Sequence, residues 1–259
     1  MNDTYKGVIF DIDGVLEYQG AVIPQAPELL NFLRNKGIEI RILTNSTLKS
    51  RKSCSEKLNA MGFTVHEHEV ITASFATARY LKTLKPKSCW VLLKREGLEE
   101  FIDFVQDTEN PEYIVLGDYR EDFRFEMMNK AAELLVGGAK LIVMITEKLD
   151  AGLGGLELTV GAYGGMLEDA TGVVATYIGK PNRYVFDMIM STMRIANNRV
   201  LMVGDKLSTD IVGARNAGLA SVLVKTLVKT GEFRESDLDN EIKPDFIFDH
   251  VGQLRRLFE

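Results

Sequence analysis

The stretch Val8-Ile9-Phe10-Asp11-Ile12-Asp13-Gly14-Val15 narrows the folds open to this chain more than any other. Val8, Ile9 and Phe10 form the short apolar run of a buried parallel strand. Side chains alternate along a strand, so Asp11 and Asp13 leave on one side while Ile12 turns back into packing. Gly14 then lets the chain turn sharply out of the sheet. Two carboxylates at the carboxyl end of a buried strand are costly unless something compensates them. A divalent cation does so naturally, because Mg2+ is held by one or two carboxylates, waters and a substrate phosphate. An EF-hand does not fit: its loop follows a helix and needs Gly at position six and Glu at position twelve. Here the acids follow a strand, and the glycine is fourth counting from Asp11.

The rest of the chain alternates in the same manner. Pro24 to Asn35 has a helical period through Leu29, Leu30 and Leu33, and Gly37 stops it. Ile38–Leu43 is a second strand ending in the small donors Thr44-Asn45-Ser46, Ser50–Met61 a helix, and Val70–Thr72 a third strand. This β-α-β-α-β order predicts an α/β fold with a Rossmann-like, doubly wound parallel sheet. Such sheets bind ligands outside the carboxyl ends of their strands. From Ala73 onward the pattern recurs: helix at Ser74–Leu84, strand at Cys89–Leu93, helix at Leu98–Val105, strand at Tyr113–Leu116, helix at Glu126–Val136 and strand at Leu141–Thr146. The glycine-rich Ala151–Gly165 is expected to form mobile loops with a short strand at Leu156–Val160, its spacing being wrong for a dinucleotide fingerprint. A helix at Val185–Arg194, a strand at Val200–Val203, a helix at Asp210–Asn216, a strand at Ser221–Val224 and an edge strand at Phe246–Phe248 complete the expectation.

Composition excludes several classes. A net charge of −6 argues against a surface built to bind nucleic acid. The two cysteines, Cys54 and Cys89, form no CxxC and no Cys/His cluster, so a zinc site or disulfide framework is not expected. No apolar run approaches a membrane span and no signal peptide precedes the first strand, which predicts a cytoplasmic protein without membrane partners. A homodimer is left open. His66, His68 and His250 are scattered and read as core or surface residues, and Tyr163 as a packing aromatic.

Four polar clusters carry chemistry: Asp11/Asp13, Thr44-Asn45-Ser46, Lys180, and Asp205/Asp210. Three of them directly follow predicted strands and so converge at one rim of a parallel sheet. Asp11-Ile12-Asp13-Gly14-Val15, Leu43-Thr44-Asn45, Gly179-Lys180-Pro181-Asn182 and Gly204-Asp205 with Asp210 resemble, in order, motifs I to IV of the haloacid dehalogenase superfamily. The stretch from Asp13 to Thr44 has room for one helix and one strand, whereas that from Thr44 to Lys180 has room for a further α/β domain. This arrangement resembles subfamily IIA, the NagD-like and 4-nitrophenyl phosphatase group. Its type II cap is also suggested by Tyr113-Ile114-Val115-Leu116-Gly117-Asp118 and Gly138-Ala139-Lys140-Leu141-Ile142. The resemblance implies a core of residues 1–72 and 179–259, with a cap of 73–178 set over Asp11 as a lid. Many members carry Thr-Asn-x-Asp after the second of these cap strands; Ile145-Thr146-Glu147-Lys148 departs from it, closer to the branch of phospholysine, phosphohistidine and pyrophosphate phosphatases.

The resemblance also implies a Mg2+-dependent phosphatase for small phosphorylated metabolites, working through an aspartyl-phosphate. Asp11 would attack phosphorus, and Asp13 would give a proton to the leaving oxygen and later take one from water. Thr44, Asn45 and Ser46 would bind the phosphoryl oxygens, and Lys180 would supply positive charge. Asp11, Asp13 (through a main-chain carbonyl near it), Asp205 and Asp210 would form the metal site, Asp210 otherwise orienting Lys180 or a metal-bound water. Thr146, Glu147 and Lys148 would select the leaving group. A phosphotransferase or phosphomutase, or a pyrophosphate or phosphoamino-acid phosphatase, remains the alternative on the same fold. A dehalogenase is disfavoured by Asp13, since carbon–halogen cleavage needs no proton. A phospho-accepting receiver domain would be far shorter, and a non-catalytic two-lobed binding module leaves the paired acids and Lys180 unexplained.

Overall fold

A computed structural model describes residues 4–152, 155–226 and 243–259, so Gly154 of the glycine-rich stretch lies outside the described residues. In chain order the first elements are β1 (Gly7–Phe10), the hairpin β2 (Glu17–Tyr18) and β3 (Ala21–Val22), α1 (Ala26–Asn35), β4 (Glu39–Thr44), α2 (Arg51–Ala60) and β5 (Val70–Thr72). There follow α3 (Ala73–Leu84), β6 (Cys89–Leu92), β7 (Tyr113–Leu116), α4 (Phe125–Val136), β8 (Lys140–Val143), β9 (Leu149–Gly152), β10 (Gly155–Leu158), α5 (Val160–Thr171) and β11 (Thr176–Tyr177). The chain closes with α6 (Arg183–Ser191), β12 (Val200–Gly204), α7 (Val212–Ala217), β13 (Ala220–Val224) and β14 (Phe246–Phe248).

These elements divide into two compact units. The first, Met1–Thr44 with Cys54–Ile71 and Lys180–Glu259, holds a six-stranded sheet in the order β14-β13-β12-β1-β4-β5. Its pairs from β14 through β4 are parallel, with Ile9 opposite both Met202 and Arg41. Both faces are covered, as a parallel sheet requires. Val8, Phe10, Ile40, Ile42, Leu201 and Val203 pack on one face with Leu29, Leu30 and Leu33 of α1 and Leu58 of α2. On the other face Arg41 donates from Nε to the Thr192 hydroxyl beyond α6 at 2.8 Å. There α6 and α7 press so closely that a Cβ on Gly213 would lie 2.1 Å from the Phe186 ring. Phe10 is fully buried, and truncating such a side chain costs about 3–5 kcal/mol.

The second unit, Asn45–Ser53 with Thr72–Gly179, holds a four-stranded parallel sheet in the order β11-β8-β7-β6. The Thr72 side chain caps α3, accepting from Phe75 N at 3.2 Å. Two expectations change here. The helix expected at Leu98–Val105 is instead a 3-10 stretch at Arg95–Phe101. The chain after it serves the sheet edge, for Cys89 N donates to Val105 O and Asp107 N to Cys89 O, both at 2.9 Å. Of the glycine-rich stretch, the short strand expected at Leu156–Val160 is met in part by β10, but the described residues around it are not loop: β9 pairs with β10 antiparallel and α5 follows. Gly161 and Gly164 are placed by close approach, since a Cβ would lie 2.3 Å from Glu147 O and 2.8 Å from Val143 Cγ2. Packing on β8 therefore outweighs the poor helix propensity of glycine. Among the described residues, no helix is long and apolar enough to cross a membrane.

Candidate active site

Strand ends build the site, all of it within the first unit. Asp11 follows β1, Asp205 follows β12, and Thr44 ends β4, so three neighbouring strands deliver polar groups to one rim. Asp11 N donates to Val203 O at 2.9 Å, which ties the first acid to the strand that delivers Asp205. Asp210 lies in a π-helical turn, Leu207–Ile211, that opens α7. Gly204 permits this turn, because a Cβ there would stand 2.2 Å from the Asp210 Cβ. Its Oδ2 accepts from Lys206 N at 3.2 Å.

Lys180 is the hub. Its Nζ stands 2.7 Å from Asp11 Oδ1 and 2.7 Å from Asp210 Oδ1. Lys180 is 2 % exposed, Asp210 0 %, Asp205 6 % and Asp11 7 %, so the cluster is almost out of water. Carboxylate oxygens of Asp11, Asp205 and Asp210 lie within 4.8 Å of one another. Burial, with only partial relief from Lys180, pushes the Asp11 carboxyl up to about 7. Burial and the neighbouring acids Asp11 and Asp210 raise Asp205 well above the usual range. Burial works to lower the proton affinity of Lys180, but Asp11 and Asp210 outweigh it and hold the ammonium charged.

Once ionised, three buried acids against one lysine would carry an excess of negative charge, and the buried Asp205 Oδ1 has no hydrogen-bond partner. Gly14, at φ +77°, lets Asp205 come this close, since a Cβ would be 2.0 Å from its Oδ2. A hard divalent cation fits an all-oxygen donor set with an unpartnered oxygen and surplus charge. The Asp13 carboxylate is not part of that group, so a contribution from this turn to a bound metal would come through a main-chain carbonyl. Asp13 is exposed to solvent, while Glu17 in the hairpin that follows is buried. Burial first and Glu17 second raise Asp13 to about 6, with Lys57 opposing. Being open to water, Asp13 feels less of that burial than the fully enclosed acids do.

Glu17 and Lys57 went unnoticed in the sequence. Glu17 is buried, pairs with Lys57 Nζ and accepts from Gly20 N at 2.9 Å. No local pattern in the sequence marks either residue. The remaining expected site residues belong to the second unit. Asn45 Nδ2 donates to Glu147 Oε2 at 2.7 Å, and Ser46 O accepts from Ala73 N at 3.1 Å. Thr146 and Glu147 are half-buried where the chain leaves β8, and Lys148 is exposed. Tyr163 stacks on Phe123 with ring centroids 4.0 Å apart, as a packing aromatic would.

Residues 8–105 match the family model described as haloacid dehalogenase-like hydrolase, and residues 177–254 match a second one, HAD-hydrolase-like. The human phospholysine phosphohistidine inorganic pyrophosphate phosphatase is 32% identical over 257 residues, covering 96% of this chain and 92% of its own. The chain belongs to the haloacid dehalogenase-like hydrolases. Within that family it is of the NagD-like and 4-nitrophenyl phosphatase subfamily, IIA. The 4-nitrophenylphosphatase of Thermotoga maritima superposes with a TM-score of 0.89 at 31% identity, over 98% of both chains. NagD of E. coli K-12 does so with 0.86 at 27% identity, over 96% of this chain and 98% of NagD.

Proposed function

We propose that this haloacid dehalogenase-like hydrolase is a Mg2+-dependent phosphatase that hydrolyses small phosphomonoesters through an aspartyl-phosphate on Asp11. The observation that carries the reading is the buried Asp11/Asp205/Asp210 group held against Lys180, with Asp205 Oδ1 unpartnered. Asp11, Asp205 and Asp210 would hold Mg2+, which when bound offsets the repulsion between an attacking carboxylate and a phosphate dianion. Lys180 grips Asp11 Oδ1 and so fixes the carboxylate that would attack phosphorus. The lysine would also offset the negative charge that develops during transfer. Thr44 supplies a hydroxyl for a phosphoryl oxygen from the end of the neighbouring strand. Asp13, water-accessible and with its carboxyl raised to about 6, is suited to give a proton to the leaving oxygen and later to take one from the hydrolytic water.

The test is turnover of 4-nitrophenyl phosphate by the purified chain. Activity is expected to vanish in EDTA, return with Mg2+, and be absent in Asp11→Asn, whose amide is neither ionised nor nucleophilic. Full activity after exhaustive chelation, or in Asp11→Asn, would overturn the reading. A second reading, hydrolysis of phosphoamino acids or pyrophosphate, is favoured by the likeness to the human phosphatase above and by Thr146-Glu147-Lys148 after β8. The same assay on phospholysine, pyrophosphate and sugar phosphates separates the two.

A further inference from the structure

A groove of about 590 Å³ lies wholly within the second unit, between α3 and the segment that follows the 3-10 stretch. It shares no residue with the Asp11 site. Phe75, Ala78 and Phe104 give it an apolar floor, and Arg79, Lys82 and Lys85 line one wall. Arg79 and Lys82 are exposed and one turn apart on α3, and Lys85 follows the last turn. Among the described residues, none of these three cations has an acid partner. Of the two acids that line the groove, Glu100 is already engaged, accepting from Arg51 N at 2.8 Å; Asp103 stands on the other wall.

The walls are anchored. Ser74 Oγ donates to Lys49 O at 2.7 Å, and Gly97 N donates to Leu48 O at 3.0 Å, so α3 and the 3-10 stretch are tied to the same short segment. Arg51 covers the Phe75 ring from 3.9 Å. A preformed cleft of this size with an apolar floor and a few convergent charges has the anatomy of a small-molecule site. Unpaired cations beside aromatic surface select for negative charge on a flat apolar body.

We propose that this groove binds a small amphipathic organic anion, with a flat apolar body over Phe75 and Phe104 and its charge held by Arg79, Lys82 and Lys85. The probe is 1-anilinonaphthalene-8-sulfonate, titrated by fluorescence into the full chain with tungstate saturating any phosphate site. N-phenyl-1-naphthylamine serves as the uncharged comparison. The wild type is expected to bind one equivalent of the sulfonate at least about tenfold more tightly than the neutral amine, an advantage of about 1.4 kcal/mol. The double variant Arg79→Glu/Lys82→Glu, at exposed positions, should lose at least that factor for the sulfonate, keep its weak affinity for the amine, and turn over 4-nitrophenyl phosphate as before. Lys85→Glu should weaken the sulfonate in the same direction. Equal affinity for the two probes, undiminished sulfonate binding by the double variant, or displacement of the sulfonate by tungstate would each overturn the proposal.

Discussion

Asp13 shows how surroundings set a proton's availability. Burial first and the neighbouring Glu17 second raise the Asp13 carboxyl, which suits an acid that must still hold its proton near neutrality. Asp13→Asn should therefore lower turnover of an alkyl phosphate by about 10²-fold or more, the usual worth of a positioned acid. The loss for 4-nitrophenyl phosphate should be much smaller, because that leaving group barely needs a proton. Equal losses on the two substrates would remove Asp13 from this role. The buried acids make a separate pH prediction. Asp11 and Asp205 are raised above the usual carboxylate range, so the metal-free fold binds more protons than the unfolded chain between about pH 4 and pH 7. Its stability must then fall as pH rises through that window. Thermal melts in EDTA should show a lower Tm at pH 7.5 than at pH 5.5, and added Mg2+ should restore more at pH 7.5. A Tm that rises with pH in EDTA would contradict the raised acids.

The turn after β1 works as a unit with the end of β12. Gly14 occupies the left-handed region, and its missing Cβ is the space that Asp205 Oδ2 fills. Gly14→Ala should cost about 1–2 kcal/mol from backbone conformation alone. It should also displace Asp205, raising the Mg2+ concentration for half-maximal activity at least about tenfold. Urea denaturation and a Mg2+ titration check the two effects separately, and an unchanged Mg2+ requirement would show that Asp205 is not a ligand. The same logic explains α5, where glycines that look like loop residues lie against the Val143 side chain of β8 and the Thr146–Glu147 backbone that follows it. A period-based reading sees their low propensity but not the surface they must approach.

Asp11, Asp205, Asp210 and Lys180 all fall in the first unit, and Asn45 and Glu147 in the second. We expect Thr146, Glu147 and Lys148 to set which leaving group is accepted without taking part in phosphoryl transfer. Glu147→Ala should reorder a panel of phosphomonoesters while leaving the burst of phospho-enzyme from 4-nitrophenyl phosphate nearly intact. A uniform loss on every substrate would instead assign Glu147 to holding Asn45, whose amide it accepts from. The second unit takes in residues 45–53 as well as the inserted stretch. No change of composition marks that segment, which joins through hydrogen bonds such as Asp118 N to the Thr47 hydroxyl at 3.2 Å.

Strand and helix order, the acids at strand ends and the room for an inserted α/β unit were legible because each is local. Apolar period, stop residues and chain length carry them, and β5, β7 and β14 lie where those signals put them. The order of four short motifs then carried the family. What the chain could not declare is partnership through space. The resemblance already paired Asp210 with Lys180, but it did not declare that the Asp13 carboxylate, two residues from Asp11, stands outside the metal-sized group while Asp210 lies within it. Lys57 closes on Glu17 from a helix that no motif marked. Those pairings depend on how elements remote in sequence pack against one sheet, and only the tertiary structure decides that.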